Sequence, residues 1–516
     1  MIHKSPLPDI DIPDAYLTEH VLQNADRLAD KPALIDGPTG RTLTFADVAG
    51  GVAALAGGLK ARGFGPGDVL ALMSPNIPEY AIMFLGVARA GGTITTINPT
   101  YTASEVQHQL QDSGATILVT IPMFLETARA AVEGTAVGEI YVIGEAEGAQ
   151  PVTALFGPPL NEQVEVGTDA VVVLPYSSGT TGLSKGVMLT HKNLVANIEQ
   201  TVIPAEIRED ETSIAVLPFF HIYGMQVLMN AGLRIGMTVV TMPRFDLEEF
   251  LRIHQDYGVT RSFVAPPIVV ALAKHPIVDN YDMSKLEQIF SGAAPLSAEL
   301  AIEAGERLQC EVVQGYGMTE LSPVSHLTPH GMFKPGSVGV TAPNTETMIV
   351  DVESGESLGF DEDGEVWVRG PQVMKGYLNN EAATRATIDD DGWLHTGDIG
   401  HVDSDGHLYV VDRLKELIKY KGFQVPPAEL EALLLTHPAV ADAAVIGIPD
   451  DEAGEIPVGY IVLKPGQEAT EQDIIDFVAG KVAHYKQIRK VTVVDAIPKS
   501  ASGKILRRVL KDEAVS

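Results

Sequence analysis

The sequence predicts an α/β fold: a large N-terminal domain of doubly wound sheets carrying a small β-barrel-like subdomain, then a small α+β C-terminal domain. Three observations predict it. Short apolar runs alternate with amphipathic stretches between residues 69 and 264, the pattern of parallel sheet covered on both faces. From about residue 345, Asp-Gly pairs punctuate strand-like runs, which is a hairpin signal. Beyond a lysine-rich segment, Lys415-Glu416-Leu417-Ile418-Lys419-Tyr420-Lys421-Gly422, short helices and strands mix over a length that suits one compact unit. At 516 residues the chain exceeds one ordinary core, and the boundary is set near residue 415, giving domains of 1–414 and 415–516.

In order, a helix from Asp14 would place Leu17, Val21 and Leu28 on one face. Thr44-Phe45-Ala46-Asp47 reads as a capping box, Asp standing for the usual Glu, ahead of an alanine-rich helix ending near Gly63. Strands follow at 69–73, 93–97, 116–120 and 140–143, with helices at 78–90 and 104–112. The apolar run 170–174 leads into a Gly/Ser/Thr-rich loop and a helix near Thr190; strands at 213–217, 238–242 and 261–264 resume the alternation. Asp363-Gly364, Asp391-Gly392 and Asp405-Gly406 then punctuate runs such as 365–368 and 408–411, as antiparallel sheet or a small barrel requires. The last part carries helices at 428–434 and 471–482 and strands at 443–446 and 459–463.

Composition narrows the function. With 45% hydrophobic and 20% charged residues the chain is globular. A net charge of −32, from 36 basic and 68 acidic residues, argues against nucleic acid or anionic membrane as partners. The single Cys310 excludes an intramolecular disulfide and a cysteine metal cluster, fits a reducing compartment, and reads as an inert buried thiol. The start Met1-Ile2-His3-Lys4-Ser5-Pro6 has no apolar leader core, and no run approaches the ~20 apolar residues that span a bilayer. The C-terminal Glu513-Ala514-Val515-Ser516 is not the Ser-Lys-Leu address. The expectation is a cytoplasmic monomer or homodimer without an integral membrane segment.

One stretch organises the chain: Tyr176-Ser177-Ser178-Gly179-Thr180-Thr181-Gly182-Leu183-Ser184-Lys185-Gly186-Val187. Glycines, hydroxyls and one lysine at a strand exit describe a loop built to hold phosphate, because backbone N–H groups can converge there and Lys185 adds a point charge. A Gly/Ser/Thr cluster also describes an ordinary polar turn. It is not the P-loop pattern, which needs Gly-Lys-Ser/Thr in succession, whereas Ser184 precedes Lys185 and Gly186 follows.

Five more stretches follow in order: Pro218-Phe219-Phe220-His221-Ile222-Tyr223-Gly224, Ser291-Gly292-Ala293-Ala294-Pro295-Leu296, Gln314-Gly315-Tyr316-Gly317-Met318-Thr319-Glu320, Trp393-Leu394-His395-Thr396-Gly397-Asp398 with Asp412-Arg413-Leu414-Lys415, and Pro498-Lys499-Ser500-Ala501-Ser502-Gly503-Lys504. Together with the loop they resemble the signatures of the adenylate-forming enzymes: acyl-CoA synthetases, peptide-synthetase adenylation domains and beetle luciferases. The resemblance covers nearly the whole chain and is strongest to the 4-coumarate–CoA ligases, whose sequence 415–425 nearly repeats.

That resemblance implies an ATP-dependent acid:CoA ligase using Mg²⁺ and coenzyme A. Joining a carboxylate to the α-phosphorus of ATP makes two anions meet, so neutralising charge must be in place first. Lys504 is implied as the adenylation lysine; as a plain sequence, Lys504-Ile505-Leu506-Arg507-Arg508 could equally be a basic surface helix. Glu320 and Thr180 are implied near the metal, Thr319 at the α-phosphate and Tyr316 on adenine, where Mg²⁺ would keep few protein ligands. Ala294, Gln314 and Gly315 belong to the nucleotide motifs; Asp398 is implied as ribose anchor, Arg413 as a second ribose or phosphate contact, and Lys419 and Gln424 as adenylate contacts. Gly422 matches the pantetheine passage, and Lys415 the hinge about which the small domain turns. His221 matches a pocket and gate position, proton transfer being a further option; a lone histidine between aromatics is otherwise a core residue.

The acid pocket is implied at Ile222, Tyr223, Val227, Gly292, Ala293, Pro323 and Val324, a mostly apolar slot with small residues. A cinnamate-type acid such as 4-coumarate suits it, and medium or long fatty acids fit nearly as well. Val227, where the ligases often carry serine, and Arg244, where lysine is common, are departures that weaken recognition of a hydroxylated ring. An amino-acid substrate is disfavoured because His221-Ile222-Tyr223-Gly224-Met225-Gln226-Val227 holds no acid to pair a buried ammonium. A luciferase-like oxygenase is the remaining enzyme alternative. A non-catalytic binder would not need the full set of charged motif residues.

Overall fold

Apolar runs with no solvent face to spare become central strands. Val69–Met73 and Thr93–Ile97 bury all but their first residues and pair in parallel, Val69 beside Thr93 through Met73 beside Ile97. The structure, a computed structural model, describes residues 1–177, 184–421, 423–450, 452–500 and 503–515. Its large part is two long sheets. One has eight strands, running from Gly376–Tyr377 through Lys185–Thr190, Val171–Ser177, Thr93–Ile97, Val69–Met73 and Ile117–Thr120 to Glu139–Val142 and Gln150–Pro151. The other has nine, with Glu311–Gly317, Gln288–Ser291, Arg261–Val264, Thr212–Ala215 and Thr238–Thr241 as parallel neighbours at its centre. Helices such as Phe45–Ala61 and Glu79–Arg89 join them in one apolar core. The capping box closes: Asp47 N donates to Thr44 Oγ1 at 3.2 Å and Thr44 N to Asp47 Oδ2 at 2.9 Å.

The third unit is an antiparallel sheet of five strands, ordered Ile2–Lys4, Glu346–Val350, Gly364–Arg369, Leu394–Val402, Leu408–Arg413. Its two edges approach one further segment. Val338 N donates to Leu408 O at 2.9 Å and Leu408 N to Gly339 O at 2.8 Å on one side, and Ser5 Oγ donates to Thr341 O at 2.7 Å on the other. The sheet thus curls toward a barrel without continuous pairing around it. The C-terminal part folds on its own sheet, Phe423–Val425, Ile418–Tyr420, Gly454–Leu463 and Val440–Asp450, with Lys490–Val493 added in parallel. Among the described residues its apolar clusters hold members from Ile418 to Ala514 and none from the sheets before them.

Three expectations are corrected. The first helix is only Leu17–Val21; Leu28 is buried on a turn beyond it, so its apolar face is met by tertiary packing and not by a longer helix. A strand, Lys185–Thr190, stands between the phosphate-like loop and the helix His191–Val202. Of the Asp-Gly pairs, Asp405-Gly406 makes a short hairpin between Val402 and Leu408 with Gly406 at φ +85°, and Asp391-Gly392 turns the chain between the bridged Ile388 and Leu394 with Gly392 at φ +81°, but Asp363-Gly364 only ends the longer connection from Val350 into Gly364–Arg369. Among the described residues no helix is long and apolar enough to cross a membrane.

Candidate active site

Adjacent strands of the curled sheet put Asp398 opposite Arg413. Arg413 Nε lies 3.3 Å from Asp398 Oδ1, and Tyr316, at the end of a nine-stranded-sheet strand, donates its hydroxyl to Asp398 Oδ2 at 2.6 Å. Asp398 is only 7% exposed. Burial raises its pKa, and Arg413, the Tyr316 hydroxyl and Lys504 oppose that rise. The carboxylate is therefore held where two sheets meet, with one oxygen toward each partner.

Lys504 reaches this cluster from the small domain. Ser500 N donates to Lys504 O at 2.8 Å and Lys504 N to Ser500 Oγ at 3.1 Å, which holds these two residues together. Gly503 takes φ +83° there, which a glycine supplies without strain. A Cβ at Gly503 would sit 3.4 Å from Ala265 Cβ and 3.7 Å from Pro267 Cδ, so Gly503 lies close to the start of helix Pro266–Lys274 in the large domain. Burial, then Arg413, lowers the pKa of Lys504; Asp398, Glu320 and Glu416 raise it in opposition. His221 feels the same cation: burial first and Lys504 second depress its ring to about 3, so it is neutral at pH 7.

A second group gathers around the strand that begins at Lys185. Lys185–Thr190 returns antiparallel on Val171–Ser177, with Lys185 opposite Ser177. Gly376–Tyr377 pairs outside the returning strand. Lys185 Nζ lies 4.6 Å from the centroid of the Tyr377 ring, and the Tyr377 hydroxyl donates to Glu320 Oε1 at 2.8 Å. Glu320, 4% exposed, follows half-buried Thr319 in a short 3₁₀ turn. Among the described residues no three of His, Cys, Asp and Glu gather as a metal cage. One buried carboxylate, with a single oxygen engaged, is the donor set that suits a Mg²⁺ arriving with phosphates and waters.

The segment expected to line the acid pocket is a π-helix, Tyr223–Asn230, preceded by Ile222; Ile222, Tyr223 and Val227 are all buried. Tyr223 donates its hydroxyl to Phe290 O at 3.2 Å. Gly292 makes room for the ring: a Cβ there would come 2.9 Å from Tyr223 Cε1. Ala293 follows at φ +72° with half-buried Ala294. Gln314 Oε1 accepts from Leu296 N at 3.1 Å and holds that loop, while Gly315 leads into Tyr316 on the same strand. Pro323 and Val324 are buried beyond Glu320.

Thus Tyr316, Asp398, Arg413, Lys504, Glu320 and His221 interact as one group, with Lys185 attached through Tyr377. Lys419 and Gln424 form an exposed cross-strand pair on the small domain; among the described residues no contact joins them to Asp398 or Arg413. Lys415 is exposed in the turn after Arg413. Ser178, Gly179, Thr180, Thr181, Gly182 and Gly422 lie outside the described residues. Cys310 is half-buried and pushed up to about 12 by burial and then Glu311, as an inert thiol should be.

Sequence reasoning missed two groups. Tyr377 lies in Gly376-Tyr377-Leu378, with no motif around it. The other is an Arg507 clamp: Arg507 bonds both oxygens of Glu431 at 2.8 Å and also Glu416, while Asp412 Oδ2 accepts from Ala428 N at 2.8 Å. Only the crowding of Glu416, Glu431 and Arg507 in one lysine- and arginine-bearing unit hinted at it.

Comparison with known proteins matches residues 21–378 to the AMP-binding enzyme family and residues 429–504 to the AMP-binding enzyme C-terminal domain. The chain is 44% identical to 4-coumarate–CoA ligase 3 of Oryza sativa subsp. japonica, covering 99% of this chain and 94% of that one. It is 44% identical to 4-coumarate–CoA ligase 1 of Petroselinum crispum, covering 100% and 97%. Among solved structures it is similar to the anthranilate CoA ligase AuaEII in complex with anthranoyl-AMP, at TM-score 0.92 and 28% identity over 98% of each chain. ATP-bound MatB from Rhodopseudomonas palustris matches at TM-score 0.88 and 28% identity over 97% and 99%.

Proposed function

The chain belongs to the AMP-binding enzyme family, and from that premise we propose that it joins a 4-coumarate-type acid to coenzyme A at the expense of ATP. It is an AMP-forming acid–thiol ligase. The observation that carries this is the electrostatic coupling of Lys504, from one domain, to Asp398, Arg413 and Glu320 of the other, in a chain that keeps 44% identity to a 4-coumarate–CoA ligase over 97% of that protein's length.

In the first step a carboxylate oxygen attacks the α-phosphorus, and the bond to the bridging oxygen breaks as pyrophosphate leaves. Lys504 neutralises charge between the carboxylate and the α-phosphate, Asp398 and Arg413 hold the ribose side, and Thr319 lies beside the phosphate. Glu320 would hold Mg²⁺, whose charge offsets that of the leaving pyrophosphate. In the second step the thiol sulfur attacks the acyl carbon, and the bond to the adenylate oxygen breaks to release AMP.

Lys504 must withdraw to admit the thiol, so the small domain of 415–516 turns about Lys415. His221 then gains basicity, because one of the two causes of its depressed pKa leaves with Lys504. While Lys504 is seated, His221 is a gate. The apolar slot around Tyr223, Val227 and Gly292 receives the acid's ring. A reducing, cytoplasmic setting fits the single cysteine.

The test is CoA-thioester formation with a panel of cinnamates, benzoates and medium- and long-chain fatty acids. Highest kcat/KM on 4-coumarate or a close cinnamate is expected. A preference for fatty acids would overturn the substrate, and pyrophosphate release without any thioester would overturn the acceptor.

A further inference from the structure

We propose that Tyr377 is a positioning residue for this reaction: its hydroxyl fixes the carboxylate of Glu320 while its ring seats the ammonium of Lys185, so one side chain sets both groups that face the phosphates. The proposal rests on the ligase reading above. Tyr377 is 7% exposed and its backbone is pinned on every side. Tyr377 N donates to Thr384 Oγ1 at 2.8 Å. Lys375 N donates to Met188 O at 3.0 Å and Leu378 N to Gly186 O at 2.8 Å, zipping the segment along the strand that begins at Lys185. The ring therefore keeps its place under Lys185 Nζ, at 4.6 Å, within cation–π reach.

Glu320 is held twice from the same segment. Met374 N donates to its main-chain oxygen at 2.9 Å, and the Tyr377 hydroxyl donates to Oε1 at 2.8 Å. Among the described residues no other group hydrogen-bonds that carboxylate. The last torsion of a glutamate has a broad, soft profile, so the plane of this carboxylate is set by Tyr377. With Oε1 engaged, Oε2 is the oxygen left to face a cation. Removing the hydroxyl leaves a nearly buried anion short of its donor and free to turn. The phenol stays protonated at all working pH values, since burial and then Glu320 raise its pKa.

Two substitutions separate the roles. Tyr377→Phe keeps the ring, and with it the seat of Lys185, but removes the hydroxyl; Tyr377→Leu removes both. ATP binding to the purified full chain is measured by calorimetry with Mg²⁺ and with EDTA, beside the Mg²⁺ dependence of pyrophosphate release. In Tyr377→Phe the factor by which Mg²⁺ tightens ATP binding should shrink about tenfold, the size seen when a carboxylate ligand loses its supporting hydrogen bond. Its ATP affinity in EDTA should stay within about twofold of wild type and its KM for the acid should not move. Tyr377→Leu should lose in addition about fivefold in metal-free ATP affinity, as Lys185 is released.

An unchanged Mg²⁺ factor in Tyr377→Phe overturns the proposal. So does an equal loss of affinity with and without Mg²⁺ accompanied by a lower Tm, which would mark a merely structural residue. A wild-type chain that binds no ATP in either condition overturns the ligase reading itself, and the proposal falls with it.

Discussion

Replacing Lys504 with alanine removes one cation from a cluster that Asp398, Glu320, Glu416 and Arg413 otherwise balance. Adenylation brings a carboxylate within contact of the α-phosphate, and the transition state concentrates negative charge there. A unit charge about 4 Å from that charge, at an effective dielectric of about 20, is worth about 4 kcal/mol. That is about a thousandfold in rate. In the proposed cycle thioester formation follows a turn that takes Lys504 away, so it should keep its rate within about threefold. The assay therefore splits the halves: acid-dependent pyrophosphate release in a single turnover, and acyl-CoA formation from synthetic coumaroyl-adenylate plus CoA. Lys504→Arg keeps the charge and changes its shape, and should fall between wild type and alanine in the first half. Equal loss in both halves for Lys504→Ala would refute a lysine that works in one conformation and is absent from the other.

Two further outcomes follow from the geometry. Gly292→Ala should raise KM for the acid about tenfold, more for longer acids, with the KM for ATP unmoved, because the new Cβ at 2.9 Å must push a Tyr223 ring whose hydroxyl is tied to Phe290; equal effects on every acid would refute a wall formed by that ring. Acid should destabilise the fold. Burial depresses His221 and His326 to about 3 and His191 and His254 to about 4, so the unfolded chain takes these protons near pH 6.5 while the folded chain refuses them, and the stability they supply above that pH is lost on acidification. Burial raises Glu431 to about 7 and Asp412 to about 6, which works the other way, because the folded chain takes those two protons first. Four protons against two leaves a net of about two, or about 3 kcal/mol per pH unit between pH 6 and 5. Denaturant midpoints at pH 7 and pH 5.5 check it, and a midpoint that stays level or rises on acidification refutes it.

What the sequence made legible follows a physical line. Strands 69–73, 93–97 and 261–264 were readable to the residue because each is a short apolar run that must be buried, bounded by residues that turn. Lys185–Thr190 was not, because its opening Lys-Gly reads as loop; it is a strand only through pairing with Val171–Ser177 on one side and Gly376–Tyr377 on the other. Site residues followed the same rule. Asp398, Arg413, Tyr316 and Lys504 sit in local patterns that resemblance could match. Tyr377 carries no pattern, since its role comes from a hydroxyl that meets Glu320 across 57 residues of chain. The Arg507 clamp is likewise a product of folding, reaching 91 residues back to Glu416.

That clamp bears on where the proposed two-domain motion can break. Arg507, Glu416 and Glu431 all lie after residue 414, so their bonds travel with the small domain and survive a turn about Lys415. Beyond the hinge turn itself, the attraction of Lys504 to Asp398 and Glu320 has to part, and with it two contacts among the described residues. One is the approach of Gly503 to Ala265 and Pro267, so close that an added Cβ would be in van der Waals contact with both, and worth at most tenths of a kcal/mol for each atom pair. The other is Ala428 N donating to Asp412 Oδ2, a hydrogen bond to a charged group worth about 1.5–3 kcal/mol when that group is ionised. Burial raises Asp412 to about 6, so near neutral pH it is ionised for the most part and holds the amide. In the proposed cycle this pose is held by one strong bond beside the hinge and, at the far end, by weak contacts around Gly503 and by an attraction of Lys504 to Asp398 and Glu320 that burial and Arg413 oppose. A lever held at its pivot and lightly at its tip can swing without unfolding either body, and the tip is where the reaction needs space next.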